Sequence, residues 1–321
     1  MRFFGILRIL AFVLWTMAAL AGAAQAGPLN IAHRGARSLA PENTLPAFQI
    51  ALERCGADMI ELDVHLSKDS VPVIIHDDDL TRTTNAEEVY PTRSPWWVGD
   101  FTYAELLRLD AGSWFVEKDP FGQIKARQVP DADLKLFSAG RVRLPTLRQA
   151  LTLVAAKKSR VNIEIKDFPV FYAGIIEKVL EEVRAAHLEK QVLISTFNHE
   201  ALVEIRKHAP EIQTGALCDQ PVFPLDPYLK RLLKVNAYNP GFENIGEKSL
   251  EYRHRARLRE DVIKAAHEAG LKVNVWTVNR PEDMRALWKA GVDGIITDFP
   301  QTLHQLLKLT GKTPDANSHI K

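Results

Sequence analysis

The sequence predicts a parallel (β/α)₈ TIM barrel. Short β-branched runs alternate with amphipathic helical stretches eight times between residues 29 and 308, as in strands joined by crossover helices rather than in an open sheet. A barrel of this kind takes about 250 residues, and the 321-residue chain has the surplus concentrated in one place. The strands expected in order are Leu29–Ala32, Met59–His65, Val161–Ile165, Val192–Thr196, Gln213–Leu217, Ala237–Asn239, Lys272–Thr277 and Gly294–Thr297. The helices expected are Leu45–Arg54, Thr146–Lys157, Phe171–Ala186, Glu200–His208, Tyr228–Leu233, Asp261–Ala269, Glu282–Ala290 and Gln301–Leu307. Gly270 and Gly291 stand where helix C-caps belong. The sixth strand has the least support, because Asn236–Gly241 is short and ends on Pro-Gly. Residues 80–140 break the alternation with Pro, Gly, Trp and charge, and read as an insertion at the barrel mouth, not a second domain.

Composition narrows the function. Lys+Arg is 41 and Asp+Glu is 40. That near-neutral balance argues against nucleic acid as the main partner, since a phosphate backbone demands a basic excess or stripe. Two cysteines, Cys55 and Cys218, cannot build a disulfide framework, and their places on distant parts of a barrel keep them from pairing.

Residues 1–26 read as an export signal. Arg2 and Arg8 are their only charges, Ile9 to Ala24 has none, and Ala24-Gln25-Ala26 offers small residues for a signal peptidase. The apolar stretch Ile9–Leu20 is short for a bilayer span, which needs roughly 20 residues. A mature domain over 27–311, a disordered tail over 312–321, a periplasmic or secreted location and no membrane span after cleavage are the expectations.

The second strand, Met59-Ile60-Glu61-Leu62-Asp63-Val64-His65, alternates apolar and polar residues. Side chains on a strand point alternately to its two faces. Ile60, Leu62 and Val64 therefore pack outward on helices, while Glu61, Asp63 and His65 point into the barrel. The third strand repeats the pattern, with Asn162, Glu164 and Lys166 inward. Carboxylates crowded in a barrel interior repel one another and resist desolvation, unless a cation sits between them. Glu61, Asp63 and Glu164 give three hard oxygen ligands, suited to one Mg²⁺ or Ca²⁺. His33 closes the first strand and His76 closes the short apolar run Val73–Ile75, both expected at C-terminal strand ends, where barrel active sites lie. Such a pair can take and give a proton in phosphoester cleavage. Arg34 and Lys166 add positive charge for a phosphate oxygen, although Arg34 could equally pair with Glu42.

The motifs His33-Arg34-Gly35, Pro41-Glu42-Asn43-Thr44, Glu61-Leu62-Asp63-Val64 and His76-Asp77 occur in order, followed by Leu80 and Arg82-Thr83-Thr84. Leu144-Pro145-Thr146-Leu147, Glu164-Ile165-Lys166, Trp276-Thr277-Val278-Asn279 and Thr297-Asp298-Phe299-Pro300 complete the set. The chain resembles the glycerophosphodiester phosphodiesterase family over about residues 29–308. The resemblance implies a metal-dependent barrel that hydrolyses small glycerophosphodiesters to glycerol 3-phosphate and an alcohol. It implies His33 and His76 as the acid–base pair, Glu61, Asp63 and Glu164 as metal ligands, Arg34 and Lys166 beside the phosphate, and Trp276 as an aromatic wall near the glycerol. It also implies attack by the substrate's own glycerol hydroxyl through a cyclic phosphate. The sequence departs from the family where Asn85 follows Thr84 and a long excursion precedes Leu144, which bears on the leaving group.

Other features read as structural. Arg253, Arg255, Arg257 and Arg259 alternate, a spacing that does not share a helical face, so they form a solvated loop. Trp96-Trp97 packs, and His65 hydrogen-bonds. Two other functions compete: a phospholipase-D-like enzyme on lysophospholipid or sphingolipid, favoured by an exposed apolar lip in residues 85–140, and a non-catalytic binding protein on the same fold.

Overall fold

The computed structural model describes residues 27–245 and 259–309. The segment expected to be a leader, residues 1–26, the expected tail, residues 312–321, and Arg253, Arg255 and Arg257 lie outside the described residues. Nine strands form one sheet: β1 (Leu29–Ala32), β2 (Met59–Leu66), β3 (Pro72–Ile74), β4 (Arg160–Ile165), β5 (Val192–Thr196), β6 (Gln213–Cys218), β7 (Ala237–Pro240), β8 (Lys272–Val275) and β9 (Gly294–Thr297). Their order is β1-β9-β8-β7-β6-β5-β4-β2, and β1 pairs again with β2, so eight parallel strands close into a barrel. The seam is in register from Leu29↔Gly294 to Ala32↔Thr297.

The antiparallel strand β3 corrects one expectation. His76 does not close a barrel strand. β3 pairs antiparallel with the end of β2, with Val64↔Ile74 and Leu66↔Pro72. The chain leaves β2 above the barrel, turns, and comes back along it, with Ile75 N–H donating to Asp63 O. That return delivers His76 to the mouth.

The outer helices are α1 (Leu45–Glu53), α2 (Leu147–Lys157), α3 (Ile175–Ala185), α4 (His199–His208), α5 (Glu260–Glu268), α6 (Pro281–Ala290) and α7 (Pro300–Leu309), with a π-helical segment Asp226–Leu232 between β6 and β7. Local chemistry sets their ends. Thr146 caps α2 in a capping box with Gln149, which satisfies two otherwise orphaned N–H groups. α3 starts at Ile175 rather than Phe171, because Gly174 takes a left-handed φ of 80° at its N-cap. Gly291 ends α6 with a φ of 85°, as a C-cap glycine does.

Burial follows the alternation of the strands. Ile60, Leu62 and Val64 share a core with Phe48 and Ala51 of α1 and Leu151 and Val154 of α2. A fully buried aliphatic side chain of this size contributes about 1.5–3 kcal/mol. Inside the barrel space is tight. A Cβ on Gly215 would stand 2.8 Å from Asn239 Nδ2.

The excursion begins at the mouth and continues down the flank. Its first part encloses a small core of its own, including Leu80, Val98, Phe101 and Leu106. Phe121 meets Phe299 edge-on at the rim. The helix Asp131–Phe137 then reaches the end of α1, where Arg54 Nη2 donates to Asp133 Oδ2 at 2.6 Å. Trp96 is held by its indole N–H on Tyr90 O at 2.8 Å, whereas Trp97 does not pack as expected and is exposed.

Candidate active site

Register brings the acids together. β2 and β4 pair with Asp63 opposite Glu164 and Glu61 opposite Asn162, so Glu61, Asp63 and Glu164 face the same interior at the carboxyl end of the barrel. One oxygen from each lies within 4.8 Å of the others. Among the described residues this is the one such cluster of metal-ligating side chains.

Each carboxylate has a partner on the protein side. Arg34 N–H donates to Glu61 Oε2 at 2.8 Å, Asn43 Nδ2 to Asp63 Oδ2 at 2.7 Å, and Lys166 Nζ to Glu164 Oε1 at 2.8 Å. The first contact needs the turn after β1, in which Arg34 and Gly35 both take positive φ, 53° and 85°. A Cβ on Gly35 would meet the Ala47 backbone at 2.8 Å. The other oxygens, Glu61 Oε1 and Asp63 Oδ1, are buried without a hydrogen-bond partner. Buried ionised oxygens are costly unless paired. An all-oxygen donor set with two orphaned atoms fits a hard divalent cation.

The charge states follow. Burial, then the charges of Asp63 and Glu164, push the Glu61 carboxyl well above the usual range. Burial and Asp63 likewise push Glu164 up, against Lys166. Burial works the other way from the rest on Asp63, which His76, Arg34, Lys166 and the Asn43 bond hold below it. Three carboxylates this close do not all ionise without a cation.

The histidines flank the acids, each backed by an aspartate. His33 Nδ1 lies 2.7 Å from Asp298 Oδ1, and His76 Nδ1 lies 2.7 Å from Asp77 Oδ1. An ionised aspartate accepts only, so each ring donates its Nδ1–H to its aspartate and leaves Nε2 free of that bond. His33 Nε2 is then 4.0 Å from Glu61 Oε2. Burial and Arg34 draw the His33 imidazole below its ordinary value, against Asp298. Burial would raise Asp298, but His33, Arg37 and Asn279 hold it well down. His65, fully buried, bonds Tyr172 OH and His76 O, each at 3.1 Å, and burial lowers it to about 4. It is a neutral structural group.

A cavity of about 160 Å³ opens among them, lined by His33, Glu61, His76, Glu164, Phe197 and Trp276. Trp276 is fixed by its indole N–H on Asn239 O at 2.7 Å and stacks edge-on with Phe197 at 5.5 Å. A larger cavity, about 340 Å³, lies at the other end of the barrel against residues such as Met59, Arg160, Val192 and Lys272. That end carries the starts of the strands, where barrels keep stability rather than chemistry.

The model of the glycerophosphoryl diester phosphodiesterase family matches residues 33–302. The chain belongs to this family. It is a hydrolase of the phosphodiesterase class. A glycerophosphodiester phosphodiesterase of Caldanaerobacter subterraneus subsp. tengcongensis is 39% identical over 285 residues, 88% of this chain and 99% of that protein. One from Bacillus altitudinis is 35% identical, over 84% of this chain and 94% of its own. Among solved structures, an Oleispira antarctica phosphodiesterase in complex with the product sn-glycerol-3-phosphate superposes with a TM-score of 0.67 at 26% identity, covering 88% of this chain and 97% of its own.

Within this phosphodiesterase fold the residues singled out from the sequence converge. His33, Arg34, Glu61, His76, Glu164 and Trp276 line the cavity, Asp63 lies buried beside it, and Lys166 spans Glu164 and Asp63 at 2.8 and 3.8 Å. Arg34 is committed inward. Its Nη1 donates to Glu42 Oε1 at 2.9 Å, and its side chain is largely buried. The sequence reading gave no role to Asp298, Asn43, Arg37 or Phe197. Asp298 and Asn43 lie inside the quoted motifs, so a signal was there. Phe197 and Arg37 had none. No helix among the described residues is long and apolar enough to cross a membrane.

Proposed function

We propose that this chain is an exported, metal-dependent phosphodiesterase that cleaves small glycerophosphodiesters to glycerol 3-phosphate and an alcohol. One observation carries the reading: buried oxygens of Glu61 and Asp63 without a hydrogen-bond partner, beside two histidines that share one cavity. A Ca²⁺ or Mg²⁺ ion held by Glu61, Asp63 and Glu164 would act as Lewis acid, offsetting phosphate charge and acidifying a nearby hydroxyl. Asp298 and Asp77 fix the histidine tautomers, so each Nε2 is the nitrogen that takes or gives the proton. His33, drawn down by burial, is neutral near pH 7, and Lys166 balances the acids beside the phosphate position. Trp276 and Phe197 wall the glycerol side. The glycerol hydroxyl next to the ester is the nucleophile, with the advantage of an intramolecular step. Residues 1–26 act as the cleaved leader.

The test is a metal-stripped enzyme assayed on a panel of glycerophosphodiesters, with Ca²⁺ or Mg²⁺ restored singly and glycerol 3-phosphate measured. A 2-deoxy analogue belongs in the panel. Its cleavage at the parent's rate would rule out self-attack.

A second reading, action on a lysophospholipid, draws on exposed apolar side chains both within residues 85–140, where Trp97, Leu107 and Leu136 are 43%, 41% and 49% exposed, and beyond them. Phe168, Phe171 and Phe223 are 72%, 75% and 94% exposed on the loops that follow β4 and β6. Hydrolysis of lysolipid with none of glycerophosphocholine would favour it over the first.

A further inference from the structure

Glu42 lies buried on the turn between β1 and α1, and three arginines converge on it. Arg34 Nη1 donates to its Oε1 at 2.9 Å and Arg37 Nε to its Oε2 at 2.7 Å. Arg82 donates through Nη2 to Oε1 at 2.7 Å and through Nη1 to Oε2 at 3.1 Å. Each of these arginines reaches a second carboxylate: Arg34 lies 3.4 Å from Asp63 through Nε, and the other two reach the aspartates behind the histidines. Arg37 Nη1 donates to Asp298 Oδ1 at 3.2 Å. Arg82 grips Asp77 with Nε and, at 3.1 Å, with Nη2. Asp298 and Asp77 are the aspartates that hold His33 and His76.

The contacts therefore form one unbroken chain: His33, Asp298, Arg37, Glu42, Arg82, Asp77, His76. Charge alternates along its five central members, and its links include the planar guanidinium forks that fix carboxylate orientation best. Glu42 touches neither histidine, yet it is the one group common to both halves. Stability alone gives little reason for the arrangement, because a buried ion network costs about as much in desolvation as it returns. Its particular product is geometry. A guanidinium that loses Glu42 is free to re-pair with its aspartate, and the aspartate turns the imidazole with it.

We propose that Glu42 is the positioning residue that aligns both histidines at once, so that the aim of each depends on the ion pairs behind the other. This rests on the two-histidine reading of the reaction, and its test has a readout that does not. In protein labelled with ¹⁵N-histidine, the Nδ1–H resonances of His33 and His76 report the two aspartate bonds separately. Arg37→Gln is expected to shift the His76 resonance as well as that of His33, and Arg82→Gln to shift His33 as well as His76. Glu42→Gln is expected to move both and to lower kcat by about tenfold or more with KM within about twofold. The two arginine effects on kcat should be less than multiplicative in the double variant.

Arg37→Gln confined to His33 and Arg82→Gln confined to His76 would overturn the proposal, as would a Glu42→Gln enzyme with parental kcat. If Glu42→Gln does not fold, the arginine variants decide alone, since both side chains are partly exposed. Cross-shifted resonances together with full turnover after replacement of either histidine would instead sink the two-histidine chemistry and leave the structural coupling standing.

Discussion

The barrel interior has a charged sector and a neutral one. On β2 and β4 the inward side chains include Glu61, Asp63 and Glu164. On β5, β7 and β8 they include Ser195, Asn239 and Asn274. The neutral groups reach for one another: Ser195 Oγ donates to Asn162 Oδ1 at 2.9 Å and Asn274 Nδ2 to Asn239 Oδ1 at 3.0 Å. Asn239 Nδ2 is left without a partner, but an unsatisfied neutral group costs only about 1–3 kcal/mol. A buried unpaired charge costs several kcal/mol even after relaxation. Both sectors are polar and buried, and only one demands something from outside the chain. Polarity in a core is therefore weak grounds for a site, whereas crowded buried carboxylates with oxygens left without a hydrogen bond are strong grounds.

Chelation puts that contrast at greatest risk. Removing divalent cations should abolish phosphodiester cleavage, and adding Ca²⁺ or Mg²⁺ should restore it in a product-release assay. Full turnover in excess chelator would mean the charged sector needs no cation. Next in size, His33→Asn or His76→Asn should lower kcat by roughly 10²-fold or more, with KM changed far less, as steady-state kinetics would read. Glu61→Gln should weaken Ca²⁺ or Mg²⁺ binding at least about tenfold by calorimetry. The same metal-free variant should melt no lower than the metal-free parent, because amide for carboxylate relieves repulsion from Asp63 and Glu164. Smallest is a change in the neutral sector: Asn274→Ala should cost about 1–3 kcal/mol of stability in denaturant titration while metal affinity holds. An equal loss of metal affinity there would erase the distinction between the sectors.

Much of this was legible in the chain itself. Period-two alternation in Met59–His65 and Val161–Ile165 exposed the inward acids, because a strand sends neighbours to opposite faces whatever its partners are. Gly291 marked a helix end for an equally local reason, the left-handed φ it adopts. β3 was harder. Three residues beginning with a proline carry too little periodicity to tell a returning hairpin from a barrel strand, so His76 was placed at the mouth for the wrong reason. Phe171 looked like the start of α3 because its apolar spacing is helical, while the backbone turn at Gly174 overrules it. Least visible was the ion-pair chain through Glu42. It joins residues from three separate connections, and nothing in the local pattern at Arg37 or Arg82 reveals which carboxylate each will meet.

The seam between β1 and β9 also fixes when the protein becomes an enzyme. His33 and its aspartate stand 265 positions apart and meet only because the first and last strands zip together. A nascent chain that has made Glu61, Asp63 and Glu164 still lacks Asp298, Asn279 and the last strand. Assembly of the ring is thus a built-in arming step. A phosphodiesterase of this fold brings His33 and Asp298 together only when the final strand docks against the first.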